Sequence, residues 1–194
     1  RHTRLRTVTG VQTCALPICE VTDAIDEGTQ PDVADNALRP LGFPMSPLEL
    51  FGLVGPGVAL HVSKTLHANL GDRYRISPTV QRIVDNGIKT FYNKDENGKL
   101  VPNPEALALV EKGNKPSTAE EVRLRALTAL AQEARMMLDE GVVATPSEID
   151  LCMLLGAGWP MHLGGILPYL DREGISEKVC GQRFHPHGVA SLPA

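Results

Sequence analysis

Two stretches of this sequence match each other, and this repeat constrains the fold more than any other feature. The first is "EVTDAIDEG" followed by "PDVADNALRPLGFPMSPLEL", and the second is "EARMMLDEG" followed by "PSEIDLCMLLGAGWPMHLGGIL". The matched positions include Glu20 and Glu133, Gly28 and Gly141, Pro31 and Pro146, and Asp35 and Asp150. Each copy has the pattern of a helix stopped by glycine, then a helix opened by proline, then a Gly-aromatic-Pro-Met corner. Copies of one supersecondary unit usually share a core, so we expect an all-α fold of two repeated helical units.

The corner has a physical explanation in both copies, at Phe43-Pro44-Met45 and at Trp159-Pro160-Met161. Proline lacks a backbone donor and biases the residue before it away from the helix, so the chain turns there. The preceding glycine permits a close approach or a positive φ. The aromatic ring and the methionine can fill the space where helices meet. For each copy, a purely structural role and a ligand-lining role both remain open.

Glycine and proline punctuation also divides the segment between the two copies. Helices are predicted on "SPLELFGLVG", "GVALHVSKTLHANLG", "SPTVQRIVDNG" and "NPEALALVEKG", and an exposed loop with a short hairpin at Asn97-Gly98 is predicted on "FYNKDENGKLVPNPE". The longest predicted helix is "STAEEVRLRALTALAQEARMMLDEG", opened by a capping box of Ser117 and Glu120. Its apolar face is predicted to hold Leu124, Leu127, Ala131, Ala134 and Leu138.

An uncharged run from Leu151 to Leu170 has about the length of a membrane span. Prolines, several glycines and His162 interrupt it, and both flanking residues, Asp150 and Asp171, are acidic. Membrane anchors are not usually flanked in this way. We therefore expect a buried helix–loop–helix corner and no membrane span.

The first 18 residues follow no helix or strand period. Back-translation of Val8 to Ile18 yields the strand of a common short-read sequencing adapter, and Arg1 to Arg4 fit the same adapter further upstream. We interpret residues 1–18 as a translated adapter and Cys19 as a hybrid codon, which excludes them from fold reasoning and implies missing native sequence upstream. A disordered native leader or a signal peptide is the alternative. Without the three arginines of this segment, the net charge falls from −4 to −7.

The repeat and the adapter interpretation together define the expected domains. Residues 1–19 are adapter-derived and residues 20–100 are the first helical repeat with its loop. Residues 101–116 are a connecting helix and linker, residues 117–185 are the second repeat, and residues 186–194 are a tail.

Charge and cysteine usage exclude several classes of partner. The chain has no basic block, so we do not expect it to bind nucleic acid. The spacing of its four cysteines suggests neither a disulfide framework nor a zinc motif, which favours the cytoplasm. Cys180, His185 and His187 are zinc-ligand types without a suitably spaced fourth ligand, so no metal is expected. His61 and His67 lie on a predicted helix and are expected to be surface or packing residues.

The repeated segments carry a family resemblance. "AIDEGTQPDVADNALRPLGFPMSPLELFGLVG" resembles the start of the C-terminal domain of the 3-hydroxyacyl-CoA dehydrogenase family. "LDEGVVATPSEIDLCMLLGAGWPMHLGGILPYLD" resembles a second copy, as in multifunctional proteins that also carry enoyl-CoA hydratase. The resemblance covers residues 20–185 and implies NAD-dependent oxidation of L-3-hydroxyacyl-CoA in fatty-acid β-oxidation. It also implies acyl-CoA as substrate, and a second copy or a thiolase subunit as partner.

The resemblance does not bring the catalytic elements with it. No G-x-G-x-x-G follows a predicted strand, and "GLVGPG" lies between predicted helices. The family's His base and its Glu partner would lie upstream, so we expect a fragment that is inactive alone, with no catalytic and no NAD-binding residue. The resemblance assigns substrate binding to Pro44, Met45, Ser46 and Pro47, where Ser46 replaces the family's usual glycine. The alternative is a stand-alone helical dimerisation or binding module.

Overall fold

The protein is described by a computed structural model over residues 9–189, with side chains from residue 15 onward. Residues 1–8 and 190–194, and with them the start of the predicted adapter segment and the end of the predicted tail, lie outside the described residues. The helices are α1 Thr9–Asp26, α2 Pro31–Asn36, α3 Pro47–Val54, α4 Pro56–Leu70, α5 Pro78–Asp85, α6 Pro104–Ala108, α7 Ala119–Asp139, α8 Pro146–Gly156, α9 Ile166–Arg172 and α10 Ile175–Cys180. Strands β1 Tyr92–Lys94 and β2 Leu100–Pro102 form the expected antiparallel hairpin. The prediction of a mostly helical fold is confirmed.

Helix starts follow simple capping chemistry. Most helices have proline in the first turn, where its missing N–H costs no helical hydrogen bond. The capping box of α7 was predicted one residue too early: Thr118 is the cap, and Glu121 accepts from its backbone N–H at 2.7 Å. The neighbouring Ser-Thr and Glu-Glu pairs fit the pattern equally well. In the structure the hydroxyl of Thr118 accepts the backbone N–H of Glu121, and Val122, the next residue, is buried.

The apolar side chains form two clusters, one for each copy of the repeat. The cluster of the first copy draws mainly on α1, α3 and α5, and that of the second on α7, α8 and α9. The long helices α1 and α7 pack together, and each contributes a side chain to the cluster of the other copy. Leu16 of α1 lies in the second cluster, and Val122 of α7 lies in the first. Arg125 of α7 pairs with Glu20 of α1 at 3.2 Å and with Glu27, the residue after α1, at 2.6 Å. This helix pair is one of the links between the two copies.

The buried face of α7 is displaced from the predicted one. Leu127, Ala131 and Ala134 are buried as expected, but Leu124 is 41% exposed and Leu138 is only partly buried. The remaining buried positions are Val122, Ala126, Leu130, Glu133 and Met137. The face is broad because five helices, α1, α2, α8, α9 and α10, pack against α7.

The uncharged run after Asp150 forms α8, a 3₁₀ turn at Met161–Leu163, and α9. The predicted corner is therefore present, and no helix within residues 9–189 is long and apolar enough to cross a membrane. The corner is buried in part, at Trp159 and Leu167 among others. Leu151, Leu155 and Met161 are 57%, 73% and 75% exposed, because they lie on the side of α8 and of the turn that faces away from the core.

Pro17 lies inside α1, where it cannot donate to the carbonyl of Thr13 and where its ring crowds that carbonyl. Pro17→Ala is therefore expected to raise the free energy of unfolding by about 1–2 kcal/mol, measured by urea denaturation. Pro78→Ala, at the exposed first position of α5, is the control and is expected to change it by less than about 0.5 kcal/mol. A loss of stability in Pro17→Ala would contradict a helix through residue 17. The adapter origin of residues 9–18 stays a prediction.

Candidate functional site: the two corners and the cavity between them

The two Gly-aromatic-Pro-Met corners pack directly against each other. Phe43 and Trp159, which are equivalent in the repeat, meet edge to face with ring centroids 5.5 Å apart. Gly42 and Gly158 have φ of 84° and 68°, so both glycines adopt the positive φ that the sequence allowed for. A Cβ on Gly42 would lie 2.8 Å from Cε1 of His162, in the second corner. A Cβ on Gly158 would lie 3.5 Å from Cγ of Pro44, in the first corner. Each corner thus covers the glycine of the other.

An apolar cavity of about 240 Å³, called here the corner cavity, opens beside this contact. The first corner and α3 form one wall, α8 of the second copy forms another, and the middle of α1 also contributes to the lining. Its lining residues are Pro17, Ile18, Leu38, Phe43, Pro44, Met45, Ser46, Pro47, Leu50, Met153, Gly156, Ala157 and Gly158. All four residues predicted to bind substrate are therefore together in one wall. Their role in binding stays a prediction.

Asp35 holds the wall in place at its C-terminal end, through bonds to Ser46 and Leu48. It is 2% exposed, and its Oδ1 accepts the backbone N–H of Leu48 at 2.7 Å. Its Oδ2 accepts the hydroxyl groups of Ser46 at 2.7 Å and Tyr92 at 2.6 Å. Burial raises the pKa of Asp35 while these three donors oppose the rise. Burial, followed by the bond to Asp35, raises the pKa of Tyr92. At neutral pH the site therefore presents neutral hydroxyl groups to a buried carboxyl.

Ser46 has a local role that glycine could not fill. Its hydroxyl donates to Asp35 and accepts the backbone N–H of Glu49 at 3.3 Å, while Glu49 Oε2 accepts the N–H of Ser46 at 2.6 Å. This capping box starts α3 at Pro47. The Ser46 hydroxyl therefore adds a link between the corner and Asp35 that glycine would lack.

The second copy repeats the aspartate with different partners. Asp150 Oδ1 accepts the N–H of Leu167 at 2.8 Å, and its Oδ2 lies 2.8 Å from Nε2 of His185. Burial raises the pKa of Asp150, opposed first by the N–H of Leu167 and then by His185. Gly165 precedes α9 as Ser46 precedes α3, and a Cβ there would lie 2.4 Å from Cγ of Asp150. His185 therefore attaches the C-terminal segment to α8 through its contact with Asp150.

Other chemically suggestive residues do not assemble into a site. Within residues 9–189, no three His, Cys, Asp or Glu side chains are grouped so as to hold a metal ion. His61 is exposed on α4, and Nδ1 of His67 lies 2.9 Å from the carbonyl oxygen of Tyr74. The "GLVGPG" segment joins α3 to α4, and the strands within the described range form only the hairpin. A dinucleotide site needs a glycine-rich turn between a parallel strand and a helix, so these residues do not fit NAD.

Sequence reasoning missed the wall of the cavity that comes from α8. Met153, Gly156 and Ala157 belong to the second copy, and nothing local indicates that they face the first corner. The match of Asp35 with Asp150 was a usable signal, since a buried carboxylate at one position of both copies suggests a shared structural role. Tyr92 carried no signal because it comes from the loop between the copies.

Comparison with known proteins agrees with this architecture. The family described as 3-hydroxyacyl-CoA dehydrogenase, C-terminal domain, matches residues 12–96, a range that includes the last part of the predicted adapter segment. The fatty acid oxidation complex subunit alpha of Shewanella putrefaciens is 29% identical over 191 residues, covering 89% of this chain. A peroxisomal fatty acid beta-oxidation multifunctional protein of Arabidopsis thaliana is 31% identical over 157 residues, covering 72% of this chain.

A solved structure shares the fold. The 3-hydroxybutyryl-CoA dehydrogenase of Escherichia coli K12 superposes with a TM-score of 0.62 at 19% identity, covering 93% of this chain and 58% of that one. This chain spans only 27% and 22% of the length of the Shewanella and Arabidopsis relatives. It belongs to the 3-hydroxyacyl-CoA dehydrogenase family, of which it carries the C-terminal helical domain.

Proposed function

We propose that this chain is the substrate-side and association part of an NAD-dependent 3-hydroxyacyl-CoA dehydrogenase of fatty-acid β-oxidation. The observation that carries the proposal is the corner cavity, in which Pro44, Met45, Ser46 and Pro47 form one wall. The names of the relatives support the reaction class, since they refer to fatty acid oxidation and to a 3-hydroxyacyl-CoA substrate. Residues 9–189 supply no dinucleotide fold, so we expect the chain alone not to reduce NAD.

In this proposal the chain binds and orients the acyl group of acyl-CoA. The lining of the corner cavity is almost entirely apolar, and burial of an alkyl segment there gains about 25 cal/mol per Å² of apolar surface. Met45 and Met153, from opposite walls, have flexible thioether side chains that adapt to chains of different shape.

Exposed apolar side chains support the association part of the proposal. One group, Leu53, Val54 and Val58, lies at the junction of α3 and α4, and another, Leu151, Leu155 and Met161, lies on α8 and the turn after it. Surfaces of this kind mark protein contacts. We propose a second copy or a thiolase subunit as the partner, in a multienzyme complex of the cytoplasm, since relatives are named as subunits of a fatty acid oxidation complex.

Methionine methyl NMR tests the acyl site directly, because the five methionines divide into two classes. Met45 and Met153 line the corner cavity, while Met136, Met137 and Met161 do not. Titration of the ¹³C-methyl-labelled chain with octanoyl-CoA is expected to shift the resonances of Met45 and Met153 alone. Met161 is the matched control, since it occupies in the second corner the position of Met45 in the first.

Coenzyme A without an acyl chain is the ligand control and is expected to leave all five resonances in place. Uniform small shifts, or shifts confined to Met161, would contradict an acyl site at the first corner. NADH formation from NAD and 3-hydroxybutyryl-CoA by the chain alone would contradict the assignment of the base and cofactor to another part of the protein.

A further inference from the structure

The hairpin between the two copies is firmly seated at its base. The N–H of Asn103 donates to the carbonyl of Phe91 at 2.8 Å, and its side-chain amide donates to the carbonyl of Thr90 at 3.0 Å. Phe91 is 1% exposed and packs on Phe51 of α3 with ring centroids 5.5 Å apart. The first residue of β1, Tyr92, is therefore held in a fixed position relative to α3.

Tyr92 extends from this base to the first corner. Its hydroxyl donates to Oδ2 of Asp35 at 2.6 Å, the same oxygen that accepts the hydroxyl of Ser46. The other oxygen of Asp35 accepts the N–H of Leu48 in the first turn of α3. One buried carboxyl group thus joins three segments, namely α2, the hairpin and the corner that leads into α3. Two hydroxyl groups and one backbone N–H therefore converge on this single carboxyl group.

The second copy shows what the hairpin adds. Asp150 also accepts a backbone N–H from the helix after its corner, but its second oxygen faces His185 of the C-terminal segment. No tyrosine from outside the repeat bonds to that carboxylate among the bonds of the described chain. The link between hairpin and corner is therefore a property of the first copy, whose corner contributes the Pro44–Pro47 wall of the cavity.

We propose that Tyr92 is a positioning residue for the acyl site, acting through Asp35 to set the place of the Pro44–Pro47 wall and with it the width of the corner cavity. The inference rests on the proposed function for its effect on acyl binding. Loss of the Tyr92 hydroxyl leaves Asp35 with two of its three donors, and the carboxyl group can then rotate. Ser46 then moves with the carboxyl group, because its hydroxyl is bonded to the same oxygen. Met45 moves with Ser46, because the two residues are adjacent in the chain.

A purely structural link would lower stability without altering the cavity, and the test separates the two. Tyr92→Phe removes only the hydroxyl, and Asp35→Asn replaces one of the two accepting oxygens of Asp35 with an NH2 donor while it keeps the size of the side chain. Asp150→Asn is the matched control, because it makes the same change in the second copy. The measurements are the ¹³C-methyl shift of Met45 in the free chain, the dissociation constant for octanoyl-CoA, and the urea unfolding midpoint.

Tyr92→Phe and Asp35→Asn are expected to shift the Met45 resonance of the free chain and to weaken octanoyl-CoA binding by about 3- to 10-fold. Asp150→Asn is expected to leave the Met45 resonance unchanged and the affinity for octanoyl-CoA within about twofold of the parent chain. This holds even if Asp150→Asn lowers the urea unfolding midpoint as much as the other two variants do. An unchanged Met45 resonance in both Tyr92→Phe and Asp35→Asn would overturn the inference. Should the parent chain bind no octanoyl-CoA, the proposed function fails, and the Met45 resonance of the free chain still decides the positioning role.

Discussion

Gly113→Ala is expected to destabilise the chain by about 3 kcal/mol or more, because the new methyl group would meet backbone atoms. A Cβ on Gly113 would lie 2.2 Å from the carbonyl carbon of Glu27 and 2.4 Å from the carbonyl oxygen of Asp26. Backbone atoms cannot rotate away as the end of a side chain can. The contact is also held in place nearby, since the N–H of Lys115 donates to the carbonyl of Glu27 at 2.7 Å. Either α1 or the linker must therefore move.

Gly57→Ala is the control for this substitution, since it places the same methyl group in open space within α4. It is expected to leave stability unchanged or to raise it by up to about 1 kcal/mol, because alanine favours the helix over glycine. Both variants are compared with the parent chain by urea unfolding followed by circular dichroism. A loss below about 1 kcal/mol for Gly113→Ala would show that the linker does not cross α1 as closely as described.

This crossing explains how the two copies of the repeat are joined. The linker passes the end of α1, where the N–H of Ser117 donates to the hydroxyl of Thr29 at 2.8 Å. The next residues cap and start α7, so α7 begins next to the end of α1. The salt bridges of Arg125 to Glu20 and Glu27 then follow from this placement. Gly113 has no distinguishing feature in the sequence. By allowing the linker to pass close to the end of α1, it helps to set the position of α7 relative to α1.

The parts of the fold that depend on local punctuation were predictable from the sequence. Proline in first turns, glycine at helix ends and the Asn97-Gly98 turn mark the helices and the hairpin, because each acts through the backbone of its own neighbourhood. The positive φ of Gly42 and Gly158 is of the same kind. The repeat added the expectation that equivalent corners share a core, and the contact of Phe43 with Trp159 agrees with it.

The parts that depend on distant contacts were not predictable. The periodicity of α7 placed Leu124 inside, although α1, α9 and α10 together select a different and broader face. The first corner was predicted as one wall of a site, but the facing wall, with Met153, comes from the second copy. Tyr92 contacts Asp35 across the fold, and no spacing in the sequence links these two residues.

Gly165→Ala is the second large effect, with an expected loss of about 2–3 kcal/mol. Backbone strain plays no part, since Gly165 has φ −67° and ψ 160°, which alanine adopts readily. The cause is steric: the new Cβ would lie 2.4 Å from Cγ and 2.5 Å from Oδ1 of Asp150. Asp150 cannot withdraw easily, because the N–H of Leu167 and the ring of His185 hold its two oxygens. Gly156→Ala, with no atom within 4 Å of the added Cβ, is the control and is expected to cause no loss.

A double-mutant cycle assigns the cost of Gly165→Ala to its cause. Asp150→Ala removes the carboxyl group that the new methyl group would meet, at the expense of the bonds to Leu167 and His185. If the clash is with this carboxyl group, Gly165→Ala should cost at least about 1 kcal/mol less in the Asp150→Ala background than in the parent chain. Equal costs in both backgrounds would place the clash elsewhere. The first copy differs at the equivalent position, where Ser46 precedes α3. Ser46 has a Cβ, and Asp35 bonds to the hydroxyl on that Cβ, whereas Asp150 occupies the space that a Cβ on Gly165 would need.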